Sequence, residues 1–132
     1  MNSPPLDILI VDDERLIRWA ISRTLTDSGH HVREAADAAS AMALLGEGRR
    51  PDVVLLDYRL PGAHGFDLLS TIRALSPSSA VVMMSADQTP ETVAEAVRRG
   101  AYAVMLKPFD MRAIEPALVS ACLARRGGRQ IP

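Results

Sequence analysis

This chain of 132 residues lacks the features that mark several classes of protein. It has one cysteine, Cys122, which excludes an internal disulfide and a zinc site built from several cysteines, so a reducing cytoplasm is the simplest setting. Its 15 basic and 16 acidic residues give a net charge of −1, which offers no electrostatic case for binding nucleic acid or a membrane surface. No apolar run is longer than a strand, and the first residues do not resemble a signal peptide.

Short apolar runs alternate with longer amphipathic stretches along the chain. Hydrophobic residues make up 48% and charged residues 23%, which is ordinary for one globular domain with a real core. Most of the short runs are rich in Val, Ile and Leu without polar alternation, as in parallel strands that are covered on both faces. The predicted strands lie near 6–11, 31–35, 52–56, 80–84 and 103–106, and the predicted helices near 14–28, 37–46, 64–75, 89–99 and 111–124.

These strand–helix units predict an α/β fold in which a five-stranded parallel sheet is the middle layer of a three-layer sandwich. The second strand, 31–35, alternates polar and apolar residues, so we expect it at an edge of the sheet. Thr89 should cap the fourth helix. Pro116 conflicts with the interior of the last helix, so that helix either begins near Glu115 or kinks there.

The expected domain organisation is simple. A short N-terminal extension at 1–5 precedes one domain at 6–124, and residues 125–132 form a tail or the start of a linker. Two adjacent glycines, Gly127 and Gly128, give this last segment the composition of a flexible linker. We find no internal repeat beyond the strand–helix unit itself.

Charged residues follow three of the predicted strands at the points where those strands end. Asp12 and Asp13 follow the first strand, Asp57 follows the third, and Lys107 follows the fifth. Because the carboxyl ends of parallel strands form one edge of an open sheet, these side chains should converge on one pocket. Carboxylates held together need a cation between them, and ligands that are all oxygen select a hard cation such as Mg²⁺. The nearby lysine suggests that an anion, such as a phosphoryl group, is bound there transiently.

At this point the chain resembles the receiver domain of bacterial two-component response regulators, over roughly residues 6–124. The motifs that carry the resemblance are Ile10-Val11-Asp12-Asp13-Glu14, Pro51 through Asp57, Leu60-Pro61-Gly62 with Gly65, Met84-Ser85-Ala86, Gly100-Ala101 and Lys107-Pro108-Phe109. Residues 11–20 are most similar to receivers of the nitrogen-regulatory type, which usually precede an ATPase domain and a DNA-binding domain. The resemblance implies a flavodoxin-like strand order, 2-1-3-4-5, and a cytoplasmic phosphoacceptor rather than an enzyme. It also implies a sensor histidine kinase as the partner that supplies the phosphoryl group.

The resemblance also assigns roles at the predicted magnesium site. Asp57 would be the nucleophile that becomes an acyl phosphate, and its carboxylate would also contact the metal. Asp13 would bind Mg²⁺ directly, and Asp12 mainly through water. The main-chain carbonyl of Arg59 would complete the protein ligands, and Mg²⁺ commonly keeps several waters in such sites.

Two further residues would complete the site and link it to a response. Lys107 would pair with the phosphoryl oxygens, and the family has a cis peptide bond between this lysine and Pro108 that aims the side chain into the pocket. Ser85 would donate a hydrogen bond to the phosphoryl group and pull the following loop inward. Arg59 and Asp87 would flank the group, where an ion pair between them could control the access of water.

One position departs from the family pattern. The second switch residue is an aromatic three positions before the lysine, and here that position is Val104. Tyr102 is two residues earlier and points to the same face of the strand. Either Tyr102 substitutes or the rotamer switch is absent, and this keeps open the alternative of a pseudo-receiver that only docks a partner.

Other functions fit the sequence less well. A phosphatase with an aspartyl intermediate would need a second aspartate two residues after Asp57, where the chain has Arg59. A flavin phosphate would be repelled by Asp12 and Asp13.

Active family members often dimerise, so the resemblance also implies a homodimer through the face formed by the fourth helix, fifth strand and fifth helix. It implies no nucleic acid bound by this domain itself.

Several conspicuous residues receive ordinary structural interpretations. His30, His31 and His64 have no ligand spacing and are expected to face solvent. Cys122 falls on the apolar face of the last helix and is expected to be a buried, inert thiol. Trp19 is expected to be partly exposed on the first helix.

Overall fold

The computed structural model describes residues 4–60, 63–86, 89–107 and 109–128, with the side chains of 64, 65 and 126–128 outside that description. Five parallel strands form the central sheet: β1 Asp7–Val11, β2 His31–Ala35, β3 Val53–Asp57, β4 Ala80–Ser85 and β5 Ala103–Leu106. The helices are α1 Arg15–Asp27, α2 Ala38–Leu45, α3 Gly65–Leu75, α4 Pro90–Arg98 and α5 Ile114–Gly128. The strand order is β2-β1-β3-β4-β5, which confirms the predicted flavodoxin-like topology. A separate hairpin of two-residue strands, Arg59–Leu60 and Ala63–His64, follows β3.

The central strands are buried on both faces because their sequences are almost entirely aliphatic. All residues of β3 and β4 are buried, and in β1 only Asp7 is partly exposed. The polar strand β2 lies at the edge of the sheet, as its alternating sequence predicted. Among the described residues, no helix is long and apolar enough to cross a membrane.

Two hydrophobic cores cover the two faces of the sheet, since successive strand residues point to opposite sides. One core joins β1, β3 and β4 to α2, α3 and α4, with Leu9, Val54, Leu56, Leu69, Ile72 and Ala96 among its members. The other joins the same strands to α1 and α5, with Ile8, Ile10, Leu55, Ile21, Leu25 and Leu118 among its members. Burial of one such aliphatic side chain contributes about 1.5–3 kcal/mol, so the two cores hold the strand ends in fixed positions.

The last helix resolves the conflict at Pro116. A 3₁₀ turn at Met111–Ala113 comes first and α5 begins at Ile114, so Pro116 lies in the first turn, where a missing N–H removes no helical hydrogen bond. The helix therefore begins late, as one of the two predicted alternatives required. It ends at Gly128, four residues beyond the predicted end at 124, so it runs into the predicted linker segment.

His30 is buried, with 3% of its surface exposed, and the expectation that it faces solvent is wrong. Its Nδ1 accepts a hydrogen bond from the Leu6 N–H at 3.0 Å, and its Nε2 lies 2.6 Å from Glu115 Oε2. The imidazole therefore joins the start of the sheet to α5. Its neighbour His31 is exposed as predicted. The side chain of His64 and the whole of residues 1–3 and 129–132 lie outside the described residues.

The two remaining structural expectations are confirmed. Cys122 is buried, and its Sγ lies 3.7 Å from the carbonyl oxygen of Asp52. Trp19 is exposed on α1, one turn after Leu16, which is also exposed. The exposed pair shows that α1 buries only one of its faces.

Candidate functional site: a carboxylate cluster at the strand ends

The carboxyl ends of β1 and β3 bring three aspartates together. Asp12 follows β1, with its N–H donating to Ala35 O at 3.1 Å, and Asp57 is the last residue of β3. Asp12 is 0% exposed and Asp57 4%, whereas Asp13 is exposed. One carboxylate oxygen from each of the three lies within 4.8 Å of the others. The predicted convergence of these residues is therefore present in the fold.

Asp12 is the most constrained member of the cluster. Its Oδ1 accepts a hydrogen bond from the Glu14 N–H at 2.8 Å. Its Oδ2 is buried and accepts no hydrogen bond from the described residues, although the Lys107 ammonium lies 3.5 Å away as an ion pair. Burial raises the pKa of Asp12 above its usual value, and the negative charge of Asp57 raises it further, against the opposing Glu14 hydrogen bond and the charge of Lys107. A buried carboxylate oxygen without a donor fits a cation ligand.

Lys107 supplies the positive charge of the site. Its Nζ lies 3.2 Å from Asp57 Oδ2, 3.5 Å from Asp12 Oδ2 and 3.3 Å from Glu14 Oε1. Burial lowers the pKa of Lys107, but the charges of Asp12 and Asp57 outweigh that effect and raise it. One ammonium thus faces several carboxylates, and the site keeps an excess of negative charge.

Glu14 was not predicted as a site residue. The structure places it at the N-cap of α1, and its position directly after the aspartate pair was the available signal in the sequence. Only the fold brings it to Lys107, which is 93 positions away in the sequence.

Ser85 lies at the same edge of the sheet as this cluster, at the end of the strand that pairs with β3. It is the last residue of β4 and is buried, and its carbonyl accepts a hydrogen bond from the Lys107 N–H at 2.9 Å. Ser85 also pairs in register with Leu106 of β5. A shift at Ser85 would therefore act directly on the backbone of the lysine.

The strand register separates Tyr102 from Ser85. The Tyr102 N–H donates to Val81 O, four residues before Ser85 on β4, which is about 13 Å along a strand. Val104 is half-buried beside Met83. Tyr102 is thus too distant to contact the Ser85 hydroxyl directly, and of the two predicted alternatives the geometry favours a site without the aromatic rotamer switch.

Arg59 follows Asp57 by two residues and contacts it through the backbone. Its N–H donates to Asp57 Oδ1 at 3.3 Å, and its side chain is exposed. Its carbonyl as a metal ligand remains a prediction. Asp87, Pro108 and the Pro61-Gly62 motif lie outside the described residues, so the Arg59–Asp87 ion pair and the cis peptide bond also remain predictions.

A cavity of about 400 Å³ opens beside the carboxylate cluster. It is lined by Glu14, Ile17, Ala86, Lys107, Phe109 and Met111. The cavity therefore has charged groups next to the aspartates and an apolar wall formed by α1 and the segment before α5.

Known proteins share this fold and this sequence pattern. The family model described as "Response regulator receiver domain" matches residues 8–119. NtrX of Azorhizobium caulinodans is 42% identical over 106 residues, covering 79% of this chain and 23% of that protein. NtrC of Azospirillum brasilense is 33% identical over 105 residues, covering 80% of this chain and 22% of that protein. The chain therefore spans about a quarter of the length of these relatives.

Solved structures agree with the sequence comparison. NtrX from Brucella abortus superposes with a TM-score of 0.88 at 38% identity, covering 96% of this chain and 29% of that one. A CheY-like receiver domain protein from Methanospirillum hungatei superposes with a TM-score of 0.86 at 26% identity, covering 95% of this chain and 99% of that one. The chain belongs to the response regulator receiver domain family. It is a signalling domain of the type found in NtrC and NtrX regulators rather than a catalytic enzyme, and the pseudo-receiver alternative is not favoured.

Proposed function

We propose that this domain accepts a phosphoryl group on Asp57 from a phosphorylated histidine of a sensor kinase. The observation that carries the proposal is the position of Asp57 Oδ2, 3.2 Å from Lys107 Nζ and inside the aspartate cluster. An Asp57 oxygen forms the new bond to phosphorus while the bond between phosphorus and the kinase imidazole nitrogen breaks, with its electron pair going to that nitrogen. The only reactions of the domain would be its own phosphorylation and dephosphorylation.

The donor set fits Mg²⁺. Asp12, Asp13 and Asp57 would hold the ion, with the main-chain carbonyl of Arg59 as a further ligand, because carboxylate and carbonyl oxygens suit a small hard cation. The Asp12 Oδ2, buried and without a donor among the described residues, supports this assignment. When bound, Mg²⁺ would neutralise charge on the phosphoryl oxygens.

Lys107 and Ser85 would bind the oxygens of the phosphoryl group on Asp57. The Lys107 ammonium already lies beside the Asp57 carboxylate, so a small movement would pair it with a phosphoryl oxygen. The Ser85 hydroxyl would donate to another oxygen and draw in the loop that follows β4. Phosphorylation would thereby shift an existing equilibrium between two loop arrangements. Val104 in place of an aromatic residue implies that the response travels through the backbone link between Ser85 and Lys107.

We further propose that phosphorylation favours a homodimer through α4, β5 and α5. This face carries large exposed hydrophobic side chains, namely Val97, Tyr102, Leu106 and Leu123. NtrC of Azospirillum brasilense is named as a DNA-binding transcriptional regulator, so the receiver would control such an output. With a net charge of −1, the domain itself would not bind DNA. The domain bounds stay predictions, with 6–124 as the receiver, 1–5 as an extension and 125–132 as a tail or the start of a linker, of which residues 125–128 continue α5.

Intact mass after incubation with acetyl phosphate and Mg²⁺ tests the phosphoacceptor assignment. We expect a single phosphoryl adduct on the unaltered protein and on Asp27→Asn, a control in which an exposed aspartate of α1 is neutralised. The Asp57→Asn variant and the unaltered protein in EDTA should remain unmodified. An adduct that survives Asp57→Asn would refute the assignment of the nucleophile.

Light scattering with and without beryllium fluoride, which mimics the phosphoryl group, tests the homodimer. An unchanged mass on addition of beryllium fluoride would contradict it.

A further inference from the structure

A second, smaller cavity lies at the end of the sheet opposite the carboxylate cluster. Its volume is about 160 Å³. The residues that line it include Arg73, Val81, Gly100, Tyr102, Ala124 and Arg125. They come from the last turn of α3, the start of β4, the segment before β5 and the late turns of α5. We call this cavity the arginine pocket.

Two guanidinium groups converge on the arginine pocket. Arg73 Nη1 donates to the carbonyl oxygens of Pro77 at 3.1 Å and Ser79 at 2.8 Å. Arg125 Nη2 donates to the same Pro77 carbonyl. Because both side chains use one acceptor, their positive charges are held close together.

The part of the chain that the structure describes gives the paired arginines no acidic partner. Among the described residues, no carboxylate oxygen lies within the 4.0 Å of an ion pair with Arg73 or Arg125. Other arginines of the domain do have one, such as Arg18 with Glu34 at 2.9 Å and Arg99 with Glu95 at 2.6 Å. The carbonyl oxygens that the two arginines contact carry no net charge, so they satisfy donors without balancing the charge.

The electrostatics of the pair show the same imbalance. Burial lowers the pKa of Arg73, and the positive charge of Arg125 lowers it further. The Nε atom of Arg125 is buried and has no hydrogen-bond acceptor among the described residues. The arginine pocket thus combines two repelling cations with a donor that lacks an acceptor.

We propose that the arginine pocket binds a phosphate-type dianion. A phosphate group carries about −1.5 to −2 charges near neutral pH, which matches two guanidinium groups, whereas a carboxylate would neutralise only one. Planar guanidinium donors suit the tetrahedral oxygens of such a group. The volume of about 160 Å³ holds one phosphate group but is smaller than ordinary ligand pockets. The ligand is therefore the free ion or the terminal phosphate of a monoester whose remainder stays in solvent.

Binding at the arginine pocket would differ from phosphorylation at Asp57. It would be reversible and independent of Mg²⁺, and it would lie at the other end of the sheet. Its structural effect would be to fasten the last turns of α5 to the loop that follows α3, since the anion would contact an arginine from each side. α5 is also the last helix of the described chain, so the anion would restrict the motion of its C-terminal turns.

An NMR titration with inorganic phosphate tests the proposal. It is run at pH 7 in EDTA with ionic strength held constant by chloride, so that no Mg²⁺ draws phosphate to the aspartates. We expect saturable shifts of the Gly100 and Tyr102 amides in the unaltered protein. Arg125→Gln should weaken binding roughly tenfold, because one charge-assisted contact is lost. Arg73→Gln should do the same, and Arg125→Gln keeps the test valid if Arg73→Gln proves unstable.

The matched control is Arg112→Gln. It removes one positive charge from an exposed arginine that pairs with Asp110. It lies in the 3₁₀ turn before α5, and the α5 residues from Ile114 to Arg125 alone span roughly 16 Å. Its phosphate affinity should stay within about twofold of the unaltered protein. Unsaturable shifts up to about 20 mM phosphate, or equal affinities in Arg125→Gln and Arg112→Gln, would overturn the proposal. Shifts of the same amides with phenyl phosphate would extend the ligand to monoesters, and their absence would restrict it to the free ion.

Discussion

Neutralising Asp12 should stabilise this domain when no divalent cation is present. Asp12 and its two neighbours, Asp13 and Asp57, hold carboxylate oxygens within 4.8 Å of one another. At an effective dielectric constant of about 20, each such repulsion amounts to at least about 3.5 kcal/mol, the value at that limiting distance. The attraction between Asp12 Oδ2 and Lys107 Nζ at 3.5 Å stabilises the charged form by about 5 kcal/mol at the same dielectric constant.

The net effect of the Asp12 charge is therefore unfavourable. Two repulsions exceed one attraction by about 2 kcal/mol, and solvent around the exposed Asp13 reduces this to roughly 1–2 kcal/mol. Burial of the Asp12 charge acts in the same direction. Asp12→Asn keeps the shape and an oxygen that can accept the Glu14 N–H bond. For a domain of this size, the expected gain in melting temperature is about 3–8 °C.

The assay is thermal unfolding followed by circular dichroism in EDTA at pH 7. Asp27→Asn serves as the control, because Asp27 is exposed and forms only a surface pair with Arg23. Addition of Mg²⁺ should reverse the order, raising the melting temperature of the unaltered protein more than that of Asp12→Asn. If Asp12→Asn melts at or below the temperature of the unaltered protein in EDTA, the electrostatic reasoning is refuted.

The same variant has a defined pH dependence. Burial raises the pKa of Asp12 in the folded state, so the folded protein holds this proton more tightly than the unfolded chain. The resulting stabilisation is present below the unfolded pKa of about 3.9 and is lost as the pH rises through the folded value. The advantage of Asp12→Asn should therefore be largest near neutral pH and should shrink on acidification. A difference in melting temperature that grows as the pH falls would contradict this sign.

Two further predictions concern residues whose contacts the sequence did not reveal. His30→Leu should lower the free energy of unfolding by about 1–3 kcal/mol in urea titrations, because it leaves the Leu6 N–H without its acceptor, and the exposed His31→Leu should be nearly neutral. An equal loss in both variants would contradict the structural role of the buried imidazole. Glu14→Gln should raise the rate of adduct formation from acetyl phosphate by roughly twofold to fivefold, because it removes a negative charge that shares Lys107 with the site. A slower rate would show that Glu14 instead positions the lysine.

The positions of the acidic residues could be read from the sequence because the responsible rule is local. Asp12 and Asp57 each follow an aliphatic run, and in a parallel sheet such runs end at the same edge. Lys107 follows β5 in the same way. Hydrophobic periodicity therefore determined both the elements and the edge at which their polar residues meet.

The contacts between distant elements could not be read in this way. His30 and Glu115 are 85 positions apart, and their bond depends on how α5 lies across the start of β1. The position of Tyr102 relative to Ser85 depends on the register of β5 against β4. Neither quantity is encoded in the pattern of a single element, so a histidine without ligand spacing gave no sign of burial.

By itself, the sequence determined the fold class, the strand order implied by its family resemblance, and the set of residues at the strand ends. Tertiary structure alone decided which charges are balanced. It gave Lys107 a third carboxylate partner in Glu14, left Asp12 Oδ2 without a donor among the described residues, and brought Arg73 to Arg125. The physical reason is that strand and helix formation follow from the spacing of apolar residues along the chain, whereas electrostatic energies depend on distances of a few ångströms between elements that only packing brings together.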